Sequence, residues 1–337
     1  MSAEIETFGG HAAFASRGEP GWHFLGTTFD QDADISTAKM LELAHLDGWN
    51  VRVEEVVTGA RTKKPSFEVV RDNPFDGLLD RLGMVKGRYK VYQNEQLFGF
   101  GDNLIDGGGL WETAGSIDDG TKVFGSLAID REVIVGAGSA DDKTNVYLLV
   151  NTSHDGSTSV QASVTPVRVV CANTLQFALS RVQQTFKVRH TQTMEGRVAE
   201  AQKALGLTYA YIDAFEAEAN ALYQTAITDN QFDAIIANLY PVPEKDVKGS
   251  LVKWEDKRNL LFDIYNDNHV DGAPATTGAL RGNAWGVLNT LTERVDWYRN
   301  PRKGDTDKLF AAQSGFDNAV LTEKNRILKA VKQFAGV

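Results

Sequence analysis

The sequence predicts an α+β fold in which a curved antiparallel sheet is backed by a long helix and followed by a mainly helical C-terminal region. Between residues 110 and 170, apolar and polar side chains alternate in four successive runs, which is typical of half-buried strands. From residue 192 onward the apolar residues recur at helical spacing instead. Residues 160–190 run from the first pattern into the second, so we predict that this stretch forms the centre of the fold.

The first part of the chain predicts an arm and several elements of the core. Residues 1–35 show few periodic patterns, and we interpret them as an N-terminal arm in which Trp22 either stacks on a partner or anchors the arm. Ser36 is a favourable N-cap for a helix that ends near Gly48. Alternation then predicts strands at residues 49–54, 67–70 and 87–93, and a short helix is expected at residues 94–108.

The middle of the chain predicts the sheet and the helix that backs it. The runs between residues 110 and 170 are separated by turn sequences that include two Asp-Gly pairs, which are strong hairpin signals because both residues adopt positive φ readily. Asn173 or Thr174 could then cap the long helix. Its predicted buried face consists of Leu175, Leu179, Val182 and Phe186. We predict that residues 36–190 form the antiparallel α+β core.

Residues 191–337 predict the helical C-terminal region. A long amphipathic helix is expected over residues 276–299, because the Asn-Pro pair that follows would end it. Trp285 and Asn289 on this helix either line a site or pack against other helices. A final helix is predicted over residues 318–334.

Composition and charge limit the classes of function. The chain has 337 residues, of which 42% are hydrophobic and 24% charged, and its formal net charge is −10. Such acidity disfavours nonspecific binding of nucleic acid by the whole surface but leaves room for a local basic groove. The chain has one cysteine, Cys171, and six histidines without zinc-binding spacing. We therefore expect no disulfide, no bound metal and no cofactor.

Two features of the sequence predict where the protein resides. No apolar run reaches the roughly 18 to 20 residues that a membrane-spanning helix needs. The first residues also lack the basic and apolar regions of a secretory signal. We expect a cytoplasmic protein with no membrane partner.

Positive charge is concentrated in two segments of this acidic chain. Residues 59–92 contain eight Lys or Arg against four Asp or Glu, and residues 160–200 contain five against two. Basic side chains beside aromatic rings suit a single-stranded nucleic acid, because they neutralise its phosphates while its bases stack. A solvated hairpin tip or helix face would explain the same charges without a ligand. The predicted nucleic-acid-binding residues are Arg88, Lys90, Tyr92, Arg168, Arg181, Lys187 and Arg189.

Five stretches of the sequence, taken in order, resemble a known family. They are EPGWHFLGT, GRYKVYQNEQLF, TPVRVVCANTL, RHTQTMEGRVAEAQKALGL and NAWGVLNTLTERVDW. The family is the phage/plasmid-like protein family, a domain-of-unknown-function family (number 932) carried by bacteriophages and conjugative plasmids, and the resemblance covers nearly the whole chain. It implies a mobile-element setting in a bacterial host and no particular activity. The predicted order of elements is also similar to that of the Rad-type single-strand annealing proteins, an analogy of fold that does not determine function.

Three hypotheses from different functional classes follow. The leading one is a nucleic-acid-binding protein of phage or plasmid DNA metabolism that promotes single-strand annealing, for which we expect a homo-oligomer without a cofactor. The alternative is an interaction protein that blocks a host defence enzyme, since an acidic surface can mimic DNA. The third is an enzyme with Cys171 as nucleophile and His154 or His190 as base. We assign no catalytic residue, because Cys171 lies on the apolar face of its predicted strand and buried cysteines are commonly inert.

Overall fold

Backbone hydrogen bonds in the computed structural model group the alternating segments into sheets and most of the periodic segments into helices. The structure describes residues 5–18, 26–57, 65–105, 109–136, 142–168, 173–174, 185–190, 197–266, 280–298 and 318–336. The chain divides into two compact units. The first contains residues 1–130, 147–164 and 183–208, and the second contains residues 131–146, 165–182 and 209–337. The predicted domain boundaries after residues 35 and 190 stay predictions.

The elements of the described residues are as follows, in chain order within each class. The strands are β1 (Thr7–Phe8), β2 (His11–Ala12), β3 (Phe14–Arg17), β4 (Thr27–Phe29), β5 (Arg52–Glu55), β6 (Phe67–Asp72), β7 (Leu79–Val85), β8 (Gly109–Ile117), β9 (Lys122–Val135), β10 (Asp142–Ser153), β11 (Val160–Arg168), β12 (Asn173–Thr174) and β13 (Thr185–Val188). The helices are α1 (Thr37–Leu43), α2 (Asn94–Leu104), α3 (Val198–Gln224), α4 (Asp229–Leu239), α5 (Ser250–Tyr265), α6 (Ala284–Glu293), a π-helical turn (Arg294–Tyr298) and α7 (Asn318–Ala335).

Among the described residues, the strands form one large sheet and two small ones. Neighbours in the eight-stranded sheet follow the order β12-β11-β10-β9-β8-β3-β4, and β13 also pairs with β11. β5, β6 and β7 form a separate antiparallel sheet, and β1 pairs with β2. Consecutive strands from β8 to β11 are thus neighbours, as in the predicted meander. The predicted α+β class is confirmed.

The sheets differ from the prediction in three respects. β3 lies between β8 and β4 and pairs with β4 in parallel, so the N-terminal residues enter the large sheet and that sheet is not wholly antiparallel. β5, β6 and β7 do not join the meander, and β7 is not among the predicted strands. β9 is one continuous strand of 14 residues that merges two of the predicted runs. Alternation predicts that a segment is extended, but it does not reveal which strand becomes its neighbour.

The long helix predicted after Asn173 is wrong at its C-terminal end. Thr185–Val188 form β13, which pairs antiparallel with β11. The Phe186 ring lies 6.1 Å from the Phe100 ring, and Val188 is buried. These two side chains are two residues apart, which is the spacing of one face of a strand and not of a helix. The predicted cap residues form β12 and pair with the end of β11. The rest of the predicted helix, residues 175–184, lies outside the described residues.

In the first unit, α2 covers the large sheet. Its Phe98 ring stacks on Trp111 of β8 with centroids 4.6 Å apart. Gly101 lies so close to the sheet that an added Cβ would stand 3.2 Å from Leu127 and 3.4 Å from Val150. The sequence predicts this short helix correctly but does not predict that it covers the sheet.

Residues 87–93 are not a strand, contrary to the prediction. The Gln93 side chain donates to the Val51 carbonyl at 2.7 Å and accepts from the Val51 N–H at 3.0 Å, so it satisfies backbone groups that a strand would otherwise pair with. The Lys90 N–H donates to the His190 carbonyl at 2.5 Å. The segment therefore satisfies its polar groups through a turn and single contacts, without a ladder.

The second unit contains most of the predicted C-terminal helices, while the first part of α3 belongs to the first unit. α6 begins at Ala284, not at residue 276, because Asn283 caps it by accepting from the Gly286 N–H at 2.8 Å after a turn. Residues 267–279 lie outside the described residues. Trp285 and Asn289 are 1% and 0% exposed, so both pack within this unit. α7 confirms the predicted final helix.

Arg71 joins the three-stranded sheet to the large sheet inside the first unit. Its side chain is 1% exposed and forms ion pairs with Glu6 and Asp80. Its guanidinium carbon lies 4.1 Å from the centroid of the Trp49 ring. Glu6 also accepts from the Ser116 hydroxyl of β8 at 2.8 Å. A buried charge is tolerated only when it is well paired, and here two carboxylates and an aromatic ring surround it.

Replacing Arg71 by Met should destabilise the first unit by about 3–5 kcal/mol, because Glu6 would stay buried without its counter-charge. Urea denaturation followed by tryptophan fluorescence measures this. Arg52→Met is the matched control, since it lies on the adjacent strand β5 and its ion pairs with Glu54 and Asp72 are more exposed to solvent. The control should change the free energy of unfolding far less, and equal losses in the two variants would contradict the prediction.

Candidate functional site

An open groove with a volume of about 1010 Å³ lies in the first unit. Its walls come from the start of β6, the end of β7, the turn at residues 86–89 and the turn at residues 155–156. The side chains that matter for its chemistry are Phe67, Met84, Lys86, Arg88, Tyr89 and Asp155. The groove thus combines apolar and aromatic surface with two cations and one carboxylate.

Two glycines allow the walls of the groove to meet. An added Cβ at Gly83 of β7 would stand 2.7 Å from the Asp155 Cα, so β7 and the turn at residues 155–156 pack without a side chain between them. Gly156 has φ +79°, which favours glycine at this position. The Asp155 carboxylate accepts from the Ser157 N–H at 2.8 Å and so stabilises the turn. Its role in the turn explains the Asp-Gly pair without catalysis.

Tyr89 forms a fixed aromatic wall of the groove. Its ring stacks on the His190 ring with centroids 4.7 Å apart and an angle of 14° between the planes. Its hydroxyl donates to the Ser153 carbonyl at 3.1 Å. Burial, and secondarily the charge of Asp155, raises the pKa of Tyr89 well above its usual value, so the hydroxyl remains a donor. Tyr92 is the aromatic residue that the sequence predicts for the site, and Tyr89 is not among the predicted residues.

The buried His190 ring supports the Tyr89 ring that stacks on it. Its Nδ1 lies 3.1 Å from the Lys90 carbonyl, which can only accept, so Nδ1 carries the proton. Its Nε2 then accepts from the Thr152 hydroxyl at 3.1 Å. Burial lowers the pKa of His190, which is 6% exposed. The ring is therefore a neutral imidazole whose two nitrogens both have partners.

His154 is fully buried beside the same turn. Its Nε2 lies 3.0 Å from Asn94 Oδ1, and the Asn94 amide donates to the Leu46 carbonyl at 2.8 Å, so Nε2 carries the proton. Burial lowers the pKa of His154 to about 3, and the charge that His190 gains when protonated in acid and the charge of Arg71 contribute to the shift. Burial and these contacts favour a structural role for both histidines over the role of a base. Cys171, the proposed nucleophile of the enzyme hypothesis, lies outside the described residues.

Two separate segments bring four of the predicted cations together. Arg88 and Lys90 lie on one segment and Lys187 and Arg189 on the other, and all four are exposed. The segments meet where the Lys90 N–H donates to the His190 carbonyl. We call these four residues the basic edge. Within the described part of the chain, neither they nor Lys86 of the groove has a carboxylate partner.

The structure places the other predicted residues elsewhere. Tyr92 is 4% exposed and packs on His190 with ring centroids 5.5 Å apart, so its ring is not available to a nucleotide. Arg168 ends β11, where its backbone pairs with Asn173, and it belongs to the second unit. Arg181 lies outside the described residues.

The comparisons with known proteins identify a family. Residues 81–314 match the family model described as "Domain of unknown function (DUF932)", and the chain belongs to this family. No curated protein and no solved structure matches the chain. The matched range includes the turn at residues 86–89, the basic edge and both buried histidines.

Neither a membrane-spanning helix nor a cluster of metal ligands is present among the described residues. None of their helices is both long and apolar enough to cross a bilayer. They contain no group of three or more His, Cys, Asp or Glu that could hold a metal ion.

Acid should destabilise the first unit through His154. Its pKa is about 3 in the folded protein and 6.5 when unperturbed, so between these values the unfolded chain binds a proton that the folded chain excludes. The free energy of unfolding should therefore fall as the pH falls from about 6.5 toward 3, by up to about 1.4 kcal/mol per pH unit for this group. Urea denaturation at several pH values measures the slope. His154→Leu should make the slope shallower between pH 6.5 and 5, and an unchanged slope would contradict the assignment.

Proposed function

We propose that this protein binds single-stranded nucleic acid along the groove and the basic edge of the first unit. The observation that carries the proposal is the meeting of two basic segments, which places four exposed cations within three residues of the Lys90–His190 backbone contact. In an acidic protein, such a group of cations without carboxylate partners attracts a polyanion locally.

The groove adds surfaces that suit the bases of a single strand. Phe67 and Tyr89 line it, and stacking on aromatic rings stabilises bases of any sequence. Lys86 and Arg88 also line it, so phosphates and bases could be bound side by side. A duplex keeps its bases stacked inside and would use only the cations. We therefore expect a preference for single strands and little preference for sequence.

We place the protein in the DNA metabolism of a phage or conjugative plasmid, in the cytoplasm of a bacterial host, where a homo-oligomer would promote annealing of complementary strands. The support for this is the resemblance of the five sequence stretches to the phage/plasmid-like protein family. Annealing rests on the element order that the sequence predicts and that resembles the Rad-type annealing proteins, although β12 and β13 replace both ends of the predicted long helix. Acceleration of annealing between two labelled complementary oligonucleotides would test this part separately from binding.

Binding should depend steeply on salt. The logarithm of the affinity for a fluorescent oligo(dT) should fall with the logarithm of the salt concentration, with a slope of roughly −0.7 per phosphate contact and roughly −3 for a full basic edge. Lys187→Ala and Arg88→Ala should each weaken binding and make the slope shallower by roughly 0.7. Fluorescence anisotropy at several salt concentrations measures both quantities.

Lys39→Ala provides the matched control. Lys39 is an exposed lysine of α1 in the same unit, and it already pairs with Glu42 at 2.9 Å. Its removal should leave affinity and slope unchanged. If the protein fails to bind single strands at low salt, or if the slope stays the same when Lys187 is removed, the proposal is wrong.

The net charge of −10 favours one second function, an interaction protein that blocks a host defence enzyme. Its acidic surface would mimic DNA and occupy the DNA-binding site of that enzyme. Charge reversal of the basic edge would not weaken such a complex. This hypothesis would be supported if the protein inhibits a DNA-binding enzyme and binds no oligonucleotide itself.

A further inference from the structure

A second cluster of positive charge surrounds Tyr240, in the second unit. The centroid of the Tyr240 ring lies 4.4 Å from Lys257 Nζ, 5.1 Å from Arg294 Cζ and 5.6 Å from Arg326 Cζ. The three cations come from α5, the π-helical turn and α7, so tertiary packing brings them together. We call these three residues the cation cluster.

Tyr240 itself is held firmly at the end of α4. Its carbonyl accepts from the Trp254 ring N–H at 2.6 Å. Its hydroxyl donates to Glu323 at 3.0 Å and accepts from Arg294 Nη1 at 3.2 Å. Burial raises the pKa of Tyr240 to about 12, so the hydroxyl keeps its proton. The ring is therefore a rigid platform for the cluster.

The charges at this platform are not balanced. Glu323 lies 3.4 Å from Arg294, and it is the one carboxylate that the described residues place in contact with the cluster. Among the described residues, Lys257 and Arg326 have no hydrogen-bond acceptor, and Arg294 Nε is buried without one. The adjacent Arg258 differs from these cations, because it forms an ion pair with Asp233 at 2.5 Å.

The three cations repel one another. Burial lowers the pKa of Lys257, and the neighbouring charges of Arg294 and Arg326 lower it further, while Glu323 opposes them. An aromatic face attracts a cation, but one ring has two faces and here has three cations around it. A bound anion would offset the repulsion and accept hydrogen bonds from Lys257 and Arg326, which are half-buried and exposed, respectively.

We propose that the cation cluster is a binding site for a phosphate group. The Arg326 guanidinium offers a planar fork that matches two oxygens of a phosphate, while Arg294, whose Nη1 already contacts Tyr240 and Glu323, and Lys257 add positive charge. A phosphate carries enough oxygens to accept from all three side chains at once, whereas a carboxylate carries two. The site shares no residue with the groove, so it stands independently of the proposed nucleic-acid binding.

Inorganic phosphate is the first probe. The thermal unfolding midpoint of the full chain should rise with phosphate concentration, compared with chloride at equal pH and ionic strength, because a ligand that binds the folded state stabilises it. Arg326→Met and Lys257→Met should each weaken the apparent affinity by at least about tenfold, since each removes a charged donor. Arg326 is exposed and Lys257 is half-buried, so both variants should fold.

Two lysines on the same helices provide matched controls. Lys253 of α5 and Lys329 of α7 are exposed and have no contact with the Tyr240 ring in the described part of the chain. Lys253→Met and Lys329→Met should keep the full effect of phosphate. Phosphate also stabilises proteins in general, through exclusion from their surface. Equal stabilisation of the wild type, the cluster variants and the controls would therefore overturn the proposal.

The pKa of Lys257 gives a readout that a purely structural role would not change. Bound phosphate should raise this pKa, because its negative charge offsets Arg294 and Arg326. Carbon NMR of the lysine side chains, with Lys257→Met to assign the signal, measures the pKa with and without phosphate. An unchanged pKa at a phosphate concentration that saturates the thermal shift would refute the site.

Three probes distinguish the sources of the phosphate. They are inorganic phosphate, a nucleoside 5′-monophosphate and a single-stranded oligonucleotide without terminal phosphates. If Arg326→Met weakens mononucleotide binding, the site takes a free or terminal phosphate; if it weakens oligonucleotide binding alone, the site takes the backbone of a strand. If Arg326→Met changes the binding of none of the three, the proposal is wrong, while oligonucleotide binding that depends on Lys187 would still support strand binding at the basic edge.

Discussion

The first unit depends on the burial of one guanidinium. Arg71 extends from β6 between the three-stranded sheet and β8, and its charge is matched by Glu6 and Asp80 and covered by Trp49. An added Cβ at Gly120 would collide with this guanidinium, so even the β8–β9 turn is adapted to it. Because the walls of the groove include β6 and β7, the ion pairs of Arg71 stabilise the sheet that forms part of the groove. If Arg71 lost its carboxylate partners, the free energy of the buried, unpaired charge would be large enough to unfold a marginally stable unit.

Buried neutral groups then support the groove. His190 uses both ring nitrogens for hydrogen bonds and carries Tyr89 on its face, while His154 packs beside Trp49 and bonds to Asn94. Burial and the nearby positive charge of Arg71 favour the neutral form of His154. The aromatic wall is thus rigid at neutral pH, which reduces the entropy that a bound base would have to overcome.

Some cations of this protein pair with carboxylates, and others form groups in which positive charge is in excess. Arg52 and Arg258 each contact a carboxylate and contribute little net potential. The basic edge and the cation cluster differ, because their positive charges exceed the carboxylates that the described residues place beside them. At physiological salt, exposed charges act over about 8 Å, so a locally positive site can persist on a protein with net charge −10. This local excess is the physical basis of both proposed sites.

Local signals made several elements predictable. Ser36 accepts from the Lys39 N–H and starts α1 as its sequence position predicts, and the Asp-Gly pair before β9 forms a turn with positive φ at Asp119 and Gly120. Such features depend on a few adjacent residues and on backbone preferences that hold in any fold. Lys187 is exposed, as its place on the polar face of the predicted helix implies. The helix predicted for this segment was wrong, because a stretch as short as Thr185–Val188 fits the periodicity of a helix or of a strand until its partner strand is known.

The sequence by itself determined the α+β class, the meander, the α1 and α2 helices, the helical C-terminal region and the two segments where positive charge is concentrated. Only the tertiary structure decided that Tyr89, rather than Tyr92, lines the groove, because burial against His190 depends on which segments meet. It alone placed Lys90 beside His190 and gathered three cations around Tyr240 from distant elements. The physical reason is that propensity, capping and alternation act between near neighbours. Contacts across the chain are set by packing, and one-dimensional patterns do not encode which faces will meet.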